Sequence, residues 1–193
     1  PGDRTVIVTN NDDAYRTALA LLDAGLVVPA VIDARPSARG ALPEAVRARG
    51  VRVLEGKGIA KVKGGKRVTG VSVCIQAGEG AELESIACDA VAMSGGWSPV
   101  VHLWSHCGGK LLWDEAQAMF RPDPDRPATG ADGAPMVSAV GAANGVLAAH
   151  DILAEAHRAG GGTGAAPGAV SAAEAPMMPV WVMPQGAGPA RRV

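Results

Sequence analysis

Short runs of aliphatic and β-branched residues alternate with helix-like stretches at the beginning of the chain. Residues 5–9 (TVIVT) form an apolar run typical of a buried parallel strand. Two helical patterns and two further apolar runs follow, over residues 14–24, 26–33, 41–49 and 51–54. The order β-α-β-α-β predicts parallel strands joined by right-handed crossovers, which make half of a doubly wound nucleotide-binding fold.

The pattern then changes to strands separated by glycine-rich turns. Residues 58–63, 67–75 and 83–87 favour an antiparallel meander, and residues 88–93 return as an apolar strand that ends at Ser94-Gly95-Gly96. The predicted fold class is therefore α/β, a Rossmann-like parallel sheet with an antiparallel β-meander. Its first domain is expected to span residues 1–95.

The later part of the chain gives weaker signals. Residues 102–120 are mixed, residues 121–135 resemble a loop, and residues 136–140 and 146–158 predict a strand and a helix with Leu147, Ile152 and Leu153 in its core. We expect residues 96–160 to form a second part and the Gly/Ala/Pro-rich residues 161–193 a linker or tail. An apolar island at residues 177–183 is expected to pack on something outside this chain.

Composition excludes several classes of protein. The 193 residues carry a formal net charge of -1 with 3% aromatic residues, which argues against nucleic-acid binding. No run reaches the roughly 18 apolar residues of a membrane span. Three cysteines without a CxxC motif favour a reducing, cytoplasmic location. Because the chain begins with Pro1 just before a strand, we expect it to be a piece of a larger protein.

The turn after the first strand is the first candidate site for a nucleotide. A dinucleotide site uses glycines there, so that main-chain amides approach the pyrophosphate. This chain has Asn10, Asn11, Asp12 and Asp13 instead, and the two acids add negative charge where phosphates would lie. The alternatives are a helix start capped by its own side chains and a pyrophosphate site that includes Asn10 and Asn11.

Other candidate nucleotide contacts follow the strands. Asp33 ends the second strand, where an acid can bind a ribose hydroxyl and Arg35 could favour a 2′-phosphate; the alternative is a solvated strand end. Gly95 and Gly96 allow a close backbone approach or form a hinge between domains. Gly141 and Asn144 lie in a turn that could meet an anion or serve helix packing.

No constellation of residues predicts catalysis by the chain alone. His102, His106 and Cys107 lack a fourth ligand and zinc-site spacing, so we predict no metal. No nucleophile elbow accompanies Ser105. A basic cluster is expected to be a solvated face, with docking of an acidic partner as the alternative; it comprises Lys57, Lys61, Lys63, Lys66 and Arg67.

Four strings of residues resemble a known family. They are TVIVTNNDDAY (5–15), DAVAMSGGWSPVVHL (89–103), GGKLLWDE (108–115) and VGAANG (140–145). Over roughly residues 4–160 the chain resembles the α subunit of heterotetrameric sarcosine oxidase.

This resemblance implies a fold with two dinucleotide-binding domains, one inserted in the other, as in flavoprotein reductases. Residues 1–95 would be the inserted domain and residues 96–160 the returning part of the first. The resemblance also implies NAD in the α subunit, FAD and FMN in the complex, and oxidation of sarcosine to glycine by oxygen, which becomes hydrogen peroxide, with tetrahydrofolate as acceptor of the one-carbon unit. Gly141-Ala142 stands where related flavin reductases have Gly-Asp, which implies loss of a flavin contact.

These expectations define three functional hypotheses. The leading one is a part of an amine-oxidising oxidoreductase that shapes the NAD-binding α subunit and contacts other subunits, inactive alone. The others are an NAD(P)H-dependent flavoprotein reductase domain and a scaffold domain that binds no nucleotide. The partners implied are the other subunits and a small amine, with neither nucleic acid nor membrane.

Overall fold

The computed structural model describes residues 2–78, 80–164 and 177–178. These residues fall into two units that divide between Gly96 and Trp97, and Met177 and Met178 belong with the first unit. Each unit is described by itself below.

The described residues of the first unit contain two helices and seven strands. They are β1 (Thr5–Thr9), α1 (Asp13–Asp23), β2 (Ala30–Asp33), α2 (Ala41–Ala48), β3 (Arg52–Glu55), β4 (Lys57–Gly64), β5 (Val68–Ile75), β6 (Glu84–Ile86) and β7 (Ala90–Ser94). β1, β2, β3 and β7 form a parallel sheet in the order β3-β2-β1-β7, with Thr9 level with Asp33 on one side and Ser94 on the other. The predicted parallel half-sheet is confirmed.

Both faces of this sheet are covered, which explains why its strands are almost continuously apolar. One face packs on the helices through Ile7, Tyr15 and Val46, and the other packs on the meander through Ile32 and Val73. All five side chains are almost completely buried. The sheet is therefore the centre of this unit, and the carboxyl ends of its strands meet at one edge.

The meander is antiparallel and has the order β4-β5-β6. It occupies the chain between β3 and β7, where a helix would connect the strands of a simple doubly wound fold. The predicted α/β class, a Rossmann-like parallel sheet with an antiparallel meander, is thus confirmed by the strand order.

The second unit contains α3 (His102–His106), β8 (Leu111–Asp114), β9 (Met119–Pro122), a 3₁₀ turn at Gly141–Asn144 and α4 (Ala149–Ala159). β8 and β9 form an antiparallel hairpin on which the rings of Trp113 and Phe120 meet edge to face, 5.0 Å apart. The mixed stretch that gave no clear pattern therefore contains a short helix and most of a hairpin.

Three predictions for the second unit are wrong. Residues 136–140, all of which the structure describes, contain no strand, because the nearby β-pairing is one isolated bridge between Thr129 and Pro135. The predicted helix begins at Ala149 rather than at residue 146, since Gly145 has a φ of 86° and the Val146 N–H bonds back to the Gly141 carbonyl. Leu153 is 42% exposed and does not belong to a core.

The helices of the described residues were also compared with the dimensions of a bilayer. None of them is long and apolar enough to cross a membrane.

Candidate functional site

The candidate site lies where β1 and β7 end side by side. β2 and β7 flank β1 on opposite sides, so the strand order reverses at β1. In open α/β sheets, ligands bind in the crevice outside the carboxyl ends of the strands at such a reversal. The structure brings four of the predicted residues to this crevice: Asn10, Asn11, Gly95 and Gly96.

The main-chain amides of the first turn are used within the protein. The Asn10 N–H donates to the Ser94 carbonyl at 3.3 Å, the Asn11 N–H to Thr9 Oγ1 at 3.1 Å, and the Asp13 N–H to Asn11 Oδ1 at 3.1 Å. A pyrophosphate at this position would need such donors for itself. Three of the amides that would meet it already have partners.

The side chain of Asn11 closes the turn that precedes helix α1. Asp12 occupies the N-cap position but makes no capping hydrogen bond with its side chain. The Asn11 side chain instead forms an Asx turn with the Asp13 amide, a geometry that asparagine favours. Of the predicted self-capped start, the structure shows an Asx turn made by Asn11 and no capping bond from the Asp12 side chain.

The two asparagine side chains also tie β1 to β7. Asn10 Nδ2 donates to the Gly95 carbonyl at 2.9 Å, and Asn11 Nδ2 donates to Asn10 Oδ1 and to Ser94 Oγ, each at 2.9 Å. Asn10 is fully buried and Asn11 nearly so. These amides fill the crevice with neutral hydrogen-bonding groups.

Met178 lies against the same turn. Its N–H donates to the Asn10 carbonyl at 3.1 Å, and Asn10 Nδ2 donates to the Met178 carbonyl at 2.5 Å. The sequence predicted that this apolar island packs outside the chain. For Met178 that prediction is wrong, because its main chain pairs with Asn10; residues 179–183 lie outside the described residues.

Asp33 is completely buried, so its interpretation as a solvated strand end is wrong. One carboxylate oxygen accepts from the Tyr15 hydroxyl and from Arg35 Nη2, each at 2.7 Å. The other accepts from the Arg35 N–H at 2.9 Å and from Arg35 Nε at 3.1 Å. A ribose hydroxyl would have to replace one of these internal donors, so a role for Asp33 at a ribose stays a prediction.

Arg35 connects this group to the first turn. Its Nη2 lies 2.8 Å from Asp12 Oδ1, and both side chains are about 5% exposed. From the sequence, Asp12 is expected to add negative charge where phosphates would lie. The structure corrects this, since the Arg35 cation faces both Asp12 and Asp33. The 2′-phosphate contact considered for Arg35 would compete with both carboxylates.

The surroundings shift the proton affinities of two members of this group. Burial, followed by the negative charge of Asp33 and the hydrogen bond to it, raises the pKa of Tyr15 far above its ordinary value. Burial alone would lower the pKa of Arg35, but the hydrogen bonds and charges of Asp33 and Asp12 outweigh it and raise that pKa. Arg35 is therefore a permanent buried cation, and Tyr15 is a neutral donor.

Tyr15 gives a direct optical test of this network, because it is the single tyrosine of the chain. Below about pH 10 the folded and unfolded chains both hold the phenol proton. Above it, the unfolded chain releases the proton while the folded chain keeps it, so the free energy of unfolding should fall by about 1.4 kcal/mol per pH unit. We expect tyrosinate absorbance to appear only together with alkaline unfolding.

Tyr15→Phe provides the matched control. It should lose this part of the alkaline destabilisation while keeping the contribution of lysine and cysteine titration. Tyrosinate absorbance rising near pH 10 in the folded protein would contradict the buried hydrogen bond.

In the second unit, Gly141 and Asn144 share one acidic partner. Glu155 of α4 accepts from the Gly141 N–H at 2.5 Å and from Asn144 Nδ2 at 2.7 Å. The Gly141 N–H, which could have donated a hydrogen bond to a cofactor anion, therefore donates to a carboxylate of the same unit. A cofactor contact by Gly141 and Asn144 stays a prediction.

The other sequence candidates are surface residues. His102, His106 and Cys107 are all exposed, and the described residues include no group of three or more His, Cys, Asp or Glu side chains that could hold a metal. In the basic cluster, Lys63 pairs with Glu82 at 2.8 Å, while Lys61, Lys66 and Arg67 are exposed.

Sequence reasoning missed three residues that organise these turns: Thr9, Tyr15 and Glu155. Tyr15 carries a detectable signal, because a tyrosine in the first turn of an amphipathic helix places its ring on the sheet and needs a hydroxyl partner. The side chains of Thr9 and Glu155 accept hydrogen bonds from the turns, and no pattern in the sequence predicts these contacts.

Comparison with known proteins places this geometry in context. No protein-family model matches the chain. A sarcosine oxidase α subunit from Corynebacterium sp. (strain U-96) is 32% identical over 200 residues, which cover 97% of this chain and 20% of that subunit. The α subunit from Rhizobium meliloti (strain 1021) is 38% identical over 121 residues, covering 62% of this chain and 11% of that one.

The chain is similar to one part of the sarcosine oxidase α subunit. The α subunit from Corynebacterium sp. (strain P-1) agrees, with 40% identity over 126 residues. The resemblance predicted from the sequence is thereby confirmed. The chain spans a fifth or less of the length of these sarcosine oxidase α subunits.

Solved structures give weaker likenesses. Thioredoxin reductase from T. acidophilum has a TM-score of 0.49 at 22% identity, covering 74% of this chain and 48% of that one. Bacillithiol disulfide reductase from Staphylococcus aureus has a TM-score of 0.48 at 16% identity, covering 75% and 47%. These scores are too low to support an argument about fold or function.

Proposed function

We propose that this chain is a non-catalytic part of an oxidoreductase of the sarcosine oxidase type, within its α subunit. Its first unit is a dinucleotide-binding fold that no longer binds a dinucleotide. The observation that carries this proposal is the use of the Asn10, Asn11 and Asp13 amides inside the protein.

A fit test for NAD at the first crevice supports the same conclusion. The turn has no glycine, the N–H groups of Asn10, Asn11 and Asp13 are paired, and the main chain of Met178 is bonded to Asn10. Arg35, the cation nearest to the end of β2, is held by Asp33 and Asp12. These residues do not fit a dinucleotide, and we assign no step of a reaction to one at this place.

The proposal for the whole protein follows the curated relatives. It would oxidise sarcosine to glycine with molecular oxygen, which is reduced to hydrogen peroxide, while tetrahydrofolate takes up the one-carbon unit. FAD and FMN would lie in the complex, and NAD in the α subunit away from this crevice. Its partners would be the other subunits of a heterotetramer in the cytoplasm. Residues 1–95 would be the inserted domain, and residues 96–160 would return to the first domain with Gly141 and Asn144.

The test is a titration of the purified protein with NADH, followed by fluorescence. We expect Gly96→Ala to leave any NADH affinity unchanged, because the proposed NAD site lies elsewhere. Gly96 has a φ of 105°, and a Cβ there would lie 3.0 Å from Asn10 Nδ2, so Gly96→Ala alters the crevice directly. Gly95→Ala is the matched control, since a Cβ at Gly95 meets nothing within 4 Å.

The reductase hypothesis makes the opposite prediction. Saturable NADH binding that is weakened by Gly96→Ala and kept by Gly95→Ala would assign the nucleotide to this crevice and overturn the proposal. Circular dichroism of both variants shows whether the fold is intact. Peroxide formation on addition of sarcosine to the complete complex tests the proposed reaction separately.

A further inference from the structure

We propose that the crevice at the ends of β1 and β7 is a seat for an extended peptide, and that its occupant is this chain's own segment at Met177–Met178. The inference concerns the occupant of the crevice and does not depend on the reaction of the whole protein.

Asn10 presents both a hydrogen-bond acceptor and a hydrogen-bond donor to the segment. The Asn10 carbonyl accepts from the Met178 N–H, and the Asn10 side-chain amide donates to the Met178 carbonyl. One residue of the seat thus satisfies both main-chain groups of one residue of the segment. This is the pairing that recognises a strand by its backbone.

The second argument is that the seat is held in place before the segment binds. Asn10 Nδ2 also donates to the Gly95 carbonyl, Asn10 Oδ1 accepts from Asn11, and the Asn10 N–H donates to Ser94. The side chain is fully buried. Because its amide orientation is fixed by neighbours, little conformational freedom remains to be lost when Met178 docks.

The third argument is the space at Gly96. Its φ of 105° suits glycine, and a Cβ at this position would collide with the Met177 sulfur. The absence of a side chain at Gly96 therefore admits the Met177 side chain. The seat recognises the segment by shape as well as by its main chain.

The chemistry of the seat also separates a peptide from a diphosphate. A phosphate oxygen accepts hydrogen bonds, so a diphosphate site must offer donors. Asn10 offers one donor and one acceptor. Its carbonyl oxygen and a phosphate oxygen are both acceptors, so they could not form a hydrogen bond with each other. A peptide unit, with one N–H and one carbonyl, matches both groups.

Docking of this segment has a consequence for the chain path. The first unit ends at Gly96, and the chain returns to it with Met177 and Met178. Met177 contacts Gly96, so the seat fixes the outgoing and the returning chain at one place. We infer that the segment acts as a clasp, which means that it holds the outgoing chain at Gly96 and the returning chain at Met177 together.

The test compares Met178→Pro with Met178→Ala by hydrogen exchange in the complete protein. Proline removes the N–H that bonds to Asn10, whereas alanine keeps both main-chain groups. In the unsubstituted protein we expect the Met178 amide to exchange at least about tenfold more slowly than in an unstructured peptide. Met178→Pro should speed exchange of the amides at residues 9–12 by about tenfold or more, and Met178→Ala should leave them unchanged.

Peptides from β2 report whether a variant has unfolded as a whole, and their exchange should not change. Exchange of the Met178 amide at the unprotected rate in the unsubstituted protein would overturn the inference by itself, whatever the variants do. So would a Met178→Pro protein in which residues 9–12 exchange as before. Because this hydrogen-exchange experiment uses no NADH, its result is independent of the NADH titration, and the proposed function can fail while the clasp is retained.

Discussion

Replacing Arg35 with alanine is expected to lower the free energy of unfolding by about 3–5 kcal/mol. The guanidinium lies between two buried carboxylates, with Nη2 2.7 Å from Asp33 and 2.8 Å from Asp12. Without it, the two buried carboxylates lose the cation that faces both of them. Chemical denaturation monitored by circular dichroism measures the change.

Arg39→Ala is the matched control for Arg35→Ala. Arg39 follows the same strand but is exposed, so its replacement should change the free energy of unfolding by less than about 0.5 kcal/mol. An Arg35→Ala protein as stable as the Arg39→Ala protein would show that Asp12 and Asp33 are not buried beside this cation in solution.

Replacing Ile7 with alanine is expected to cost about 2–5 kcal/mol. Ile7 lies on β1, the strand that pairs with both β2 and β7, and it is 1% exposed among Tyr15, Val31 and Val46. The loss combines the removed apolar surface with the cavity left between the sheet and the helices. Thermal unfolding and denaturant titration measure it.

Val62→Ala is the corresponding surface control. Val62 lies on β4 and is 47% exposed, so its truncation should alter stability by about 0.5 kcal/mol or less. If Ile7→Ala and Val62→Ala had equal effects, β1 would not be the centre of the hydrophobic core.

The sequence predicts the first unit well because its signals are local and repeated. Short apolar runs that alternate with helices leave one arrangement of parallel strands, and glycine-rich turns separate the strands of the meander. The secondary structure of residues 102–120 is harder to predict, because α3 has only five residues and β8 only four. Elements this short carry too few residues to show a period.

The sequence predicted which residues meet at the candidate site, but not the hydrogen bonds and ion pairs that they make there. Asn10, Asn11, Gly95 and Gly96 do meet, because the ends of neighbouring parallel strands lie at one edge. The partnership of Arg35 with Asp12 was not foreseen, since the two residues come from different connections and their pairing depends on side-chain direction. The contact with Met178 spans 168 residues of sequence, and no local pattern encodes it.

The polar groups at this crevice are hydrogen-bonded mainly to one another and to the main chain. Asparagine side chains and the main chain of Met178 supply hydrogen bonds to groups that would otherwise be buried without partners. The buried Arg35 is likewise balanced by acids of the same unit. Asn10, Asn11 and Asp33 are thus hydrogen-bonded within the unit, whereas Arg35 Nη1 is buried with no hydrogen-bond partner among the described residues.

The most direct test of this account is hydrogen exchange at the amides of Asn10, Asn11 and Asp13, with and without saturating NAD or NADH. The account predicts slow exchange that the nucleotide does not change, because these amides already donate to Ser94, Thr9 and Asn11. Rapid exchange in the free protein that becomes slow on addition of nucleotide would contradict it, since the turn would then hold a diphosphate.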